Sequence, residues 1–284
     1  MPDTALFNHG YLQGADGVRL YHKDTGNPDA PSVLFIHGWS QTHAAWVKQF
    51  NSELAEQFHL VAFDLRGHGY SECPVGDEYY LNGRLYADDV LAVINHNRKQ
   101  PLVLVGWSIG ALVIGDYLRR HGQADISGIV MVSGLHGLGI AELAGMLGTG
   151  PGEYMPDTMA DDPETQFRAM QRCTRDMVVD LTPAQLQIMT AQAMMTAPAV
   201  RAAMMNRVID NTDVLTSFTE PALIIHGRHD PFILVDAAQR LHQLCPRSTL
   251  SIYERSAHMP FREEPEKFNR DLDRFIRELS ATTG

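Results

Sequence analysis

The chain has 284 residues, of which 44% are hydrophobic and 20% are charged, and its formal net charge is −11 at pH 7. These fractions are those of ordinary globular proteins and exclude collagen-like, coiled-coil and wholly disordered chains. Because the charge is strongly acidic, the chain repels nucleic-acid backbones and anionic membranes, so neither is an expected partner.

The termini and the cysteines suggest where the protein works. The first residues lack a basic segment followed by an apolar one, and no apolar run reaches the ~20 residues of a membrane span. Cys73, Cys173 and Cys245 are odd in number and far apart, which indicates free thiols. We therefore expect a cytoplasmic protein. No metal or organic cofactor is implied, and the oligomeric state stays open.

Short apolar runs alternate with helical patterns along most of the chain. The runs that predict strands cover 18–23, 32–37, 59–64, 102–106, 128–133, 222–226 and 249–253. Helices are predicted over 42–56, 84–96, 109–121 and 235–244, and a last one has Phe268, Leu272, Phe275, Ile276 and Leu279 on one stripe. This alternation indicates a parallel α/β sheet with crossover helices.

The alternation stops between residues 136 and 218. Here four short helical segments are predicted, separated by Gly148, Gly150, Pro163, Pro183 and Pro198. We predict a helical cap of residues 136–218 inserted into a core of residues 1–135 and 219–284. Ten of the thirteen methionines fall in the cap, and methionine-rich surfaces adapt to varied apolar ligands. This favours a lid over the substrate, although each methionine could equally fill the core of small helices.

The strongest motif is Gly106-Trp107-Ser108-Ile109-Gly110, which follows a predicted strand and opens a predicted helix. A sharp turn between the two elements would expose the serine hydroxyl. The helix amino terminus would favour the negative charge that develops when this oxygen attacks. Ser108 is therefore the expected nucleophile.

A serine nucleophile needs a base and an acid that orients the base. Asp230 and His258 each follow the carboxyl end of a predicted strand, where sites form in such sheets. His226 and His229 are rival bases, but they precede Asp230 on the same loop. Asp236 is a rival acid that we expect in the first turn of a helix.

The oxyanion of the tetrahedral intermediate needs two main-chain N–H donors. One is expected from Ile109, directly after the serine. The other is expected from Trp39, because His37-Gly38 forms a turn after a predicted strand.

These motifs resemble the α/β-hydrolase superfamily. Trp39, Trp107 and the segment 257–261 are similar to the carboxylesterase of biotin synthesis, whereas His37-Gly38 and the run 66–69 resemble cofactor-free haloperoxidase-type esterases. The resemblance implies an eight-stranded, mostly parallel sheet with helices on both faces and a helical cap. The cap itself matches nothing familiar.

A serine nucleophile argues against dehalogenases and epoxide hydrolases, which use an aspartate. We expect a serine carboxylesterase for a neutral, moderately apolar ester, with lactonase, perhydrolase and carbon–carbon bond hydrolase as alternatives. A receptor-like binding protein of the same fold is the alternative from another class. The side chains expected to contact the small-molecule ester or lactone are Trp107, His136, Leu138, Met146 and Met259.

Overall fold

A computed structural model describes residues 7–27, 29–97 and 101–282. The strands are β1 Asn8–Gln13, β2 Arg19–Asp24, β3 Ser32–Ile36, β4 His59–Phe63, β5 Leu102–Trp107, β6 Gly128–Val132, β7 Gly137–Leu138, β8 Ile209–Asp210, β9 Ala222–Gly227 and β10 Ser248–Tyr253. Eight of them form one sheet in the order β1-β2-β4-β3-β5-β6-β9-β10.

The predicted eight-stranded, mostly parallel sheet is confirmed. Strand β2 pairs antiparallel with β1 and with β4, and all other neighbours are parallel. Every residue of β3, β4, β5, β6 and β9 is buried, so both faces of the central sheet are covered.

Strand β1 is the one sheet strand that the apolar pattern did not predict. Its sequence NHGYLQ is largely polar, and only Leu12 is buried. It lies at the sheet edge, where a strand needs little apolar surface because it is held mainly by its ladder with β2.

The helices are α1 Val47–Phe50, α2 Leu54–Gln57, α3 Glu78–Leu81, α4 Gly83–Asn97, α5 Ile109–His121, α6 Pro163–Asp176, α7 Pro183–Ala193, α8 Pro198–Met205, α9 Thr212–Thr216, α10 Val235–Leu244, α11 Pro260–Glu263 and α12 Pro265–Thr282. The predictions over 84–96, 109–121 and 235–244 agree with α4, α5 and α10. All five apolar residues predicted on one stripe of the last helix are buried in α12. No helix within the described residues has the length and apolar character needed to cross a bilayer.

The helix predicted over 42–56 is wrong as a single element. A 3₁₀ turn, His43–Trp46, leads into α1, and α2 begins four residues after α1 ends. Ser52 causes the break, because its hydroxyl donates to Gln49 O at 2.7 Å and accepts from Leu54 N–H at 3.3 Å. Such local bonds compete with the helical ladder.

In the segment 136–218, prolines start helices α6, α7 and α8 at their first position, where the missing N–H is not needed. The segment also contains two short strands that the sequence did not predict. Strands β7 and β8 pair antiparallel and join its two ends. Two residues are too few to produce an alternating pattern. That these residues act as a separate cap stays a prediction.

Candidate active site

Ser108 forms the turn between strand β5 and helix α5. Its backbone has φ 55° and ψ −118°, a strained conformation for a residue with a side chain. The Ser108 N–H donates a 2.9 Å hydrogen bond to Val132 O, which fixes the turn to the neighbouring strand β6. The half-buried side chain thus stands at the amino terminus of a 13-residue helix, where the dipole favours negative charge.

Two glycines allow this turn. A Cβ at Gly106 would lie 2.5 Å from Gly110 O, and a Cβ at Gly110 would lie 2.3 Å from Ile36 O. Both distances are far below a normal contact, so any side chain there would push helix α5 away from the sheet. The motif therefore acts through close backbone packing around Ser108.

Asp230 and His258 lie in the loops after β9 and β10, which are parallel neighbours. The His258 Nδ1–H donates to Asp230 Oδ2 at 2.6 Å, and both side chains are almost fully buried. Asp230 Oδ1 accepts from the N–H groups of Phe232 at 2.9 Å and Ile233 at 3.1 Å. With both carboxylate oxygens engaged, the imidazole is held with its Nε2 free for other partners.

The surroundings keep the Asp230 carboxylate ionised. Burial by itself raises the pKa of Asp230, but the nearby imidazole of His258 and the hydrogen bonds from His258 and Ile233 hold it below its ordinary value. His226, a rival base, donates from Nε2 to Ile233 O at 2.8 Å, and burial lowers its pKa. The neutral His226 imidazole therefore supports the loop that carries Asp230.

The other rivals are exposed. His229 points outward on the loop before Asp230, and Asp236 lies in the first turn of α10, as expected from the sequence.

The turn after β3 lies directly against Ser108. A Cβ on Gly38 would be 3.3 Å from Ser108 Cβ. His37 shapes this turn, since its Nδ1–H donates to Gly38 O at 2.8 Å while its Nε2 accepts from Leu65 N–H at 3.0 Å. Burial lowers the pKa of His37 to about 4, which keeps the imidazole neutral for both bonds.

Two main-chain N–H groups close to Ser108 are unused. Within the described residues, neither the Trp39 N–H nor the Ile109 N–H has a hydrogen-bond acceptor. Buried backbone donors without an acceptor are rare in proteins. These two groups are therefore available to a ligand oxygen.

A cavity of about 280 Å³ connects these groups. Its lining from the predicted core comprises Trp39, Trp107, Ser108, Ile109, Leu135, Phe232, Ile233 and His258. Its lining from the predicted cap comprises Leu138, Leu147, Gly148, Pro151, Gly152, Met155, Cys173, Met177 and Met205. No aspartate, glutamate, lysine or arginine is among these residues, so the cavity suits an uncharged ligand.

Ser108 and His258 both line this cavity, and in the described part of the chain neither Ser108 Oγ nor His258 Nε2 has a hydrogen-bond partner, so the two are not hydrogen-bonded to each other. Neither atom is committed to a structural bond. Catalytic hydrogen bonds of this kind are often long in unliganded enzymes and tighten when substrate binds.

Residues 33–271 match the profile of the alpha/beta hydrolase family. The chain belongs to this family. The resemblance noted from the sequence motifs is thereby confirmed.

Relatives of this α/β hydrolase match nearly its whole length. The non-heme chloroperoxidase CPO-A1 of Kitasatospora aureofaciens is 29% identical over 276 residues, covering 92% of this chain and 97% of the relative. The bifunctional esterase/perhydrolase DCH of Acinetobacter calcoaceticus is 30% identical over 288 residues, covering 94% and 99%. The crystal structure of the esterase RhEst1 from Rhodococcus sp. ECU1013 has a TM-score of 0.90 at 32% identity, covering 95% of this chain and 99% of that one.

Two of the five expected substrate contacts of this hydrolase, Trp107 and Leu138, line the cavity, and three do not. His136 is fully buried near Glu142, with 3.6 Å between Nε2 and Oε2. Met146 is bonded to the loop that follows β9, because its main-chain carbonyl accepts a 2.8 Å hydrogen bond from Leu234 N–H. The side chain of Met259 is buried in the core. The direction in which these side chains point depends on tertiary packing and could not be predicted from the sequence.

Three of the ten methionines of the segment 136–218 line the cavity: Met155, Met177 and Met205. Others, including Met170 and Met204, are fully buried among the helices of the segment. The two interpretations of the methionines thus apply to different members of the group.

Sequence reasoning missed two polar side chains that connect the segment 136–218 to the site. Glu263 accepts from Val179 N–H at 2.8 Å and from Ala257 N–H and Met259 N–H at 3.0 and 3.2 Å. Arg201 reaches the turn after β3. Neither residue is part of a motif, and charged residues on helices usually face solvent, so no signal distinguished them.

Proposed function

We propose that this hydrolase is a serine carboxylesterase that uses Ser108, Asp230 and His258. The observation that supports it most is the convergence of Ser108, His258, Trp39 and Ile109 on one apolar cavity, although they come from three separate loops and the start of a helix. Each group has the chemical character that acyl transfer requires.

In the acylation step, Ser108 Oγ attacks the ester carbonyl carbon while its proton passes to His258 Nε2. The oxygen of the carbonyl becomes an oxyanion, which accepts hydrogen bonds from the N–H groups of Trp39 and Ile109. When the intermediate collapses, the bond to the alcohol oxygen breaks, and the leaving alcohol takes the proton from His258. Asp230 stabilises the imidazolium that exists between these transfers.

In the deacylation step, a water molecule attacks the acyl-enzyme carbonyl and gives a proton to His258 Nε2. Collapse of this second intermediate breaks the bond to Ser108 Oγ, which recovers the proton from the imidazole. The products are a carboxylic acid and the free enzyme.

The cavity lining supports a neutral, apolar acyl or alcohol group. A charged group would lose its hydration there without gaining an ionic partner from the lining residues. We further propose that residues 136–218 act as the cap over this site, since nine cavity residues belong to this segment.

Perhydrolysis is a second candidate, supported by the likeness to an esterase/perhydrolase and a chloroperoxidase. Hydrogen peroxide would replace water as the nucleophile on the acyl-enzyme, and the product would be a peracid. Lactones are an alternative substrate class, because they carry the same acyl carbon within a ring.

The test is a panel of p-nitrophenyl esters of increasing acyl length, together with lactones and a succinate half-ester, on the wild type and Ser108→Ala. We expect turnover of neutral short and medium esters, little turnover of the charged half-ester, and a loss of about 10⁴-fold or more in kcat for Ser108→Ala. Unchanged activity in Ser108→Ala would refute the proposal. Preference for the charged half-ester would refute the substrate class.

Burst kinetics separate an enzyme from a receptor-like binding protein. An esterase releases many equivalents of p-nitrophenol after its burst, whereas a binding protein stops near one equivalent.

All three cysteines are free thiols, which supports the proposal of a cytoplasmic location.

A further inference from the structure

Arg201 on helix α8 is a fully buried guanidinium that has no acidic partner among the residues that the structure describes. Its Nη1 donates to Thr158 O at 2.7 Å, its Nη2 to Ala193 O at 3.1 Å and its Nε to Ser40 Oγ at 2.9 Å. Burial lowers the pKa of Arg201 to about 10, and no carboxylate of the described residues opposes this effect. Its three oxygen partners are all neutral, and Nη2 also donates to the sulfur of Met194 at 3.6 Å.

Such an arrangement contributes little to stability. A buried charge without a counter-ion loses its hydration, and apolar residues of similar volume often stabilise a protein as well or better. The position of the charge therefore calls for another explanation. The bonds to Thr158 and Ala193 stay within the segment 136–218, whereas the bond to Ser40 leaves it.

The bond to Ser40 reaches the turn after β3. Ser40 Oγ accepts from Arg201 and donates to Ala193 O at 2.8 Å. The indole Nε1 of Trp39 donates to Arg201 O at 3.0 Å. Two successive residues of the turn are thus bonded to α8 and to the end of α7.

The turn needs such support. Ser40 has φ 54°, in the left-handed region that residues with a side chain seldom adopt. The neighbouring Trp39 has an unused N–H and lines the cavity with Ser108. A relaxed Ser40 would rotate the peptide groups around Trp39, and an oxyanion donor tolerates little displacement.

We infer that Arg201 is a positioning residue, which through Ser40 holds the turn in the conformation that presents the Trp39 N–H to the oxyanion. The inference rests on the proposed function. It makes the oxyanion site depend on the segment 136–218, so that the catalytic groups of the core are complete only when α8 is packed against the turn.

Two substitutions break the connection at its two ends. Arg201→Met removes the charge and all four of its side-chain hydrogen bonds. Ser40→Ala removes only the hydroxyl at the turn and leaves the Arg201 bonds to Thr158 and Ala193 intact, and both residues carry a Cβ at the same φ. Thr174→Val is the matched control, because it removes a buried hydroxyl that bonds only within α6, to Met170 O at 2.9 Å.

Three measurements are made with p-nitrophenyl butyrate: kcat, KM and the burst size, which counts active sites. A fourth is the inhibition constant of n-butylboronic acid, which forms a tetrahedral adduct with a serine nucleophile. We expect both variants to lower kcat by about 10- to 100-fold and to weaken boronate binding by a similar factor. We expect KM to change less than about threefold, since KM reports the uniform binding that the turn does not provide.

The double variant Arg201→Met/Ser40→Ala should lose no more kcat than the worse single variant, because both act through one contact. Thr174→Val should keep both kcat and boronate affinity. Because Arg201→Met can fail to fold, a folded Ser40→Ala with wild-type kcat is by itself enough to overturn the inference. A rise in KM with unchanged kcat would also overturn it, since the contact would then only shape the cavity.

The same experiment separates the two proposals. If Ser108→Ala is inactive and Ser40→Ala is fully active, the esterase proposal stands and the positioning role falls. If Ser108→Ala keeps its activity, the esterase proposal fails and the positioning role fails with it.

Discussion

The indole Nε1 of Trp107 donates a 2.9 Å hydrogen bond to the main-chain oxygen of His258. Trp107 directly precedes Ser108 in the chain, so this bond joins the turn of the proposed nucleophile to the loop of the proposed base. The two rings also lie near each other, with centroids 5.5 Å apart. The relative position of Ser108 and His258 is therefore set by one side chain as well as by the sheet.

Trp107→Phe removes this bond and keeps most of the ring. We expect kcat to fall about fivefold or more, because losing one hydrogen bond is worth about 1 kcal/mol and lets the His258 loop shift. KM and kcat on p-nitrophenyl butyrate and the melting temperature are measured together. An unchanged kcat in a folded Trp107→Phe would show that β9 and β10 alone position the imidazole.

Glu263 also supports the loop that carries His258, by accepting hydrogen bonds from Ala257 N–H and Met259 N–H. Burial raises the pKa of its carboxyl above the ordinary value, and the N–H groups of Val179, Ala257 and Met259 oppose this rise only in part. In Glu263→Gln only one oxygen remains to accept, so either the Val179 bond or the bonds to the His258 loop must break. We expect the free energy of unfolding to fall by about 1–3 kcal/mol and kcat to fall with it.

Hydrogen exchange of the amides of Val179, Ala257 and Met259 would report which bonds open in Glu263→Gln. The control is Glu266→Gln, at an exposed position in the first turn of α12. Equal exchange at all three amides in wild type and Glu263→Gln would contradict the assigned contacts.

Gly110 and Gly145 make a matched pair of substitutions. A Cβ at Gly110 would meet Ile36 O at 2.3 Å, whereas a Cβ at Gly145 would have no atom within 4 Å. We expect Gly110→Ala to lower the free energy of unfolding by about 1–3 kcal/mol and kcat by about tenfold or more, because α5 and Ser108 must move. Gly145→Ala should leave both unchanged. Urea unfolding and ester hydrolysis measure the two effects.

Two neighbouring buried imidazoles predict a loss of stability in mild acid. Burial lowers the pKa of His37 to about 4 and that of His68 to about 3, and their ring centroids lie 5.1 Å apart. The unfolded chain binds a proton at each imidazole near pH 6.5, whereas the folded protein does not until far lower pH. The free energy of unfolding therefore falls as pH decreases from about 6.5 to 4, by about 1.4 kcal/mol per pH unit for each imidazole.

Urea unfolding at a series of pH values measures this slope. In His68→Phe, which keeps a ring beside His37, the slope over this range should fall by about 1.4 kcal/mol per pH unit, since one buried imidazole no longer takes up a proton on unfolding. The same slope in both proteins would rule out His68 as a source of the effect.

The turn that holds the proposed nucleophile could be predicted from the sequence because its determinants are local. The glycines that make it possible are 106 and 110, within two residues of Ser108, and the flanking strand and helix have clear apolar patterns. Asp230 and His258 were also accessible, because both follow strands whose carboxyl ends must meet at one edge of a parallel sheet.

The lining of the cavity and the role of Arg201 could not be predicted in this way. Which side of a helix in the segment 136–218 faces Ser108 depends on packing between segments more than 100 residues apart, as between Arg201 and Ser40. Strand β1 escaped prediction for a related reason, since its polar sequence is held mainly by its partner strand.

The antiparallel pair β7–β8 places Gly137 opposite Asp210 and Leu138 opposite Ile209. The chain thus enters and leaves the stretch between β7 and β8 within one strand spacing, about 5 Å. Everything between those two points can be replaced by the corresponding segment of a related protein without stretching β6 away from β9. The pair is consequently a natural graft junction for chimeras, in which the new segment would have to supply its own contact to Ser40 in place of Arg201.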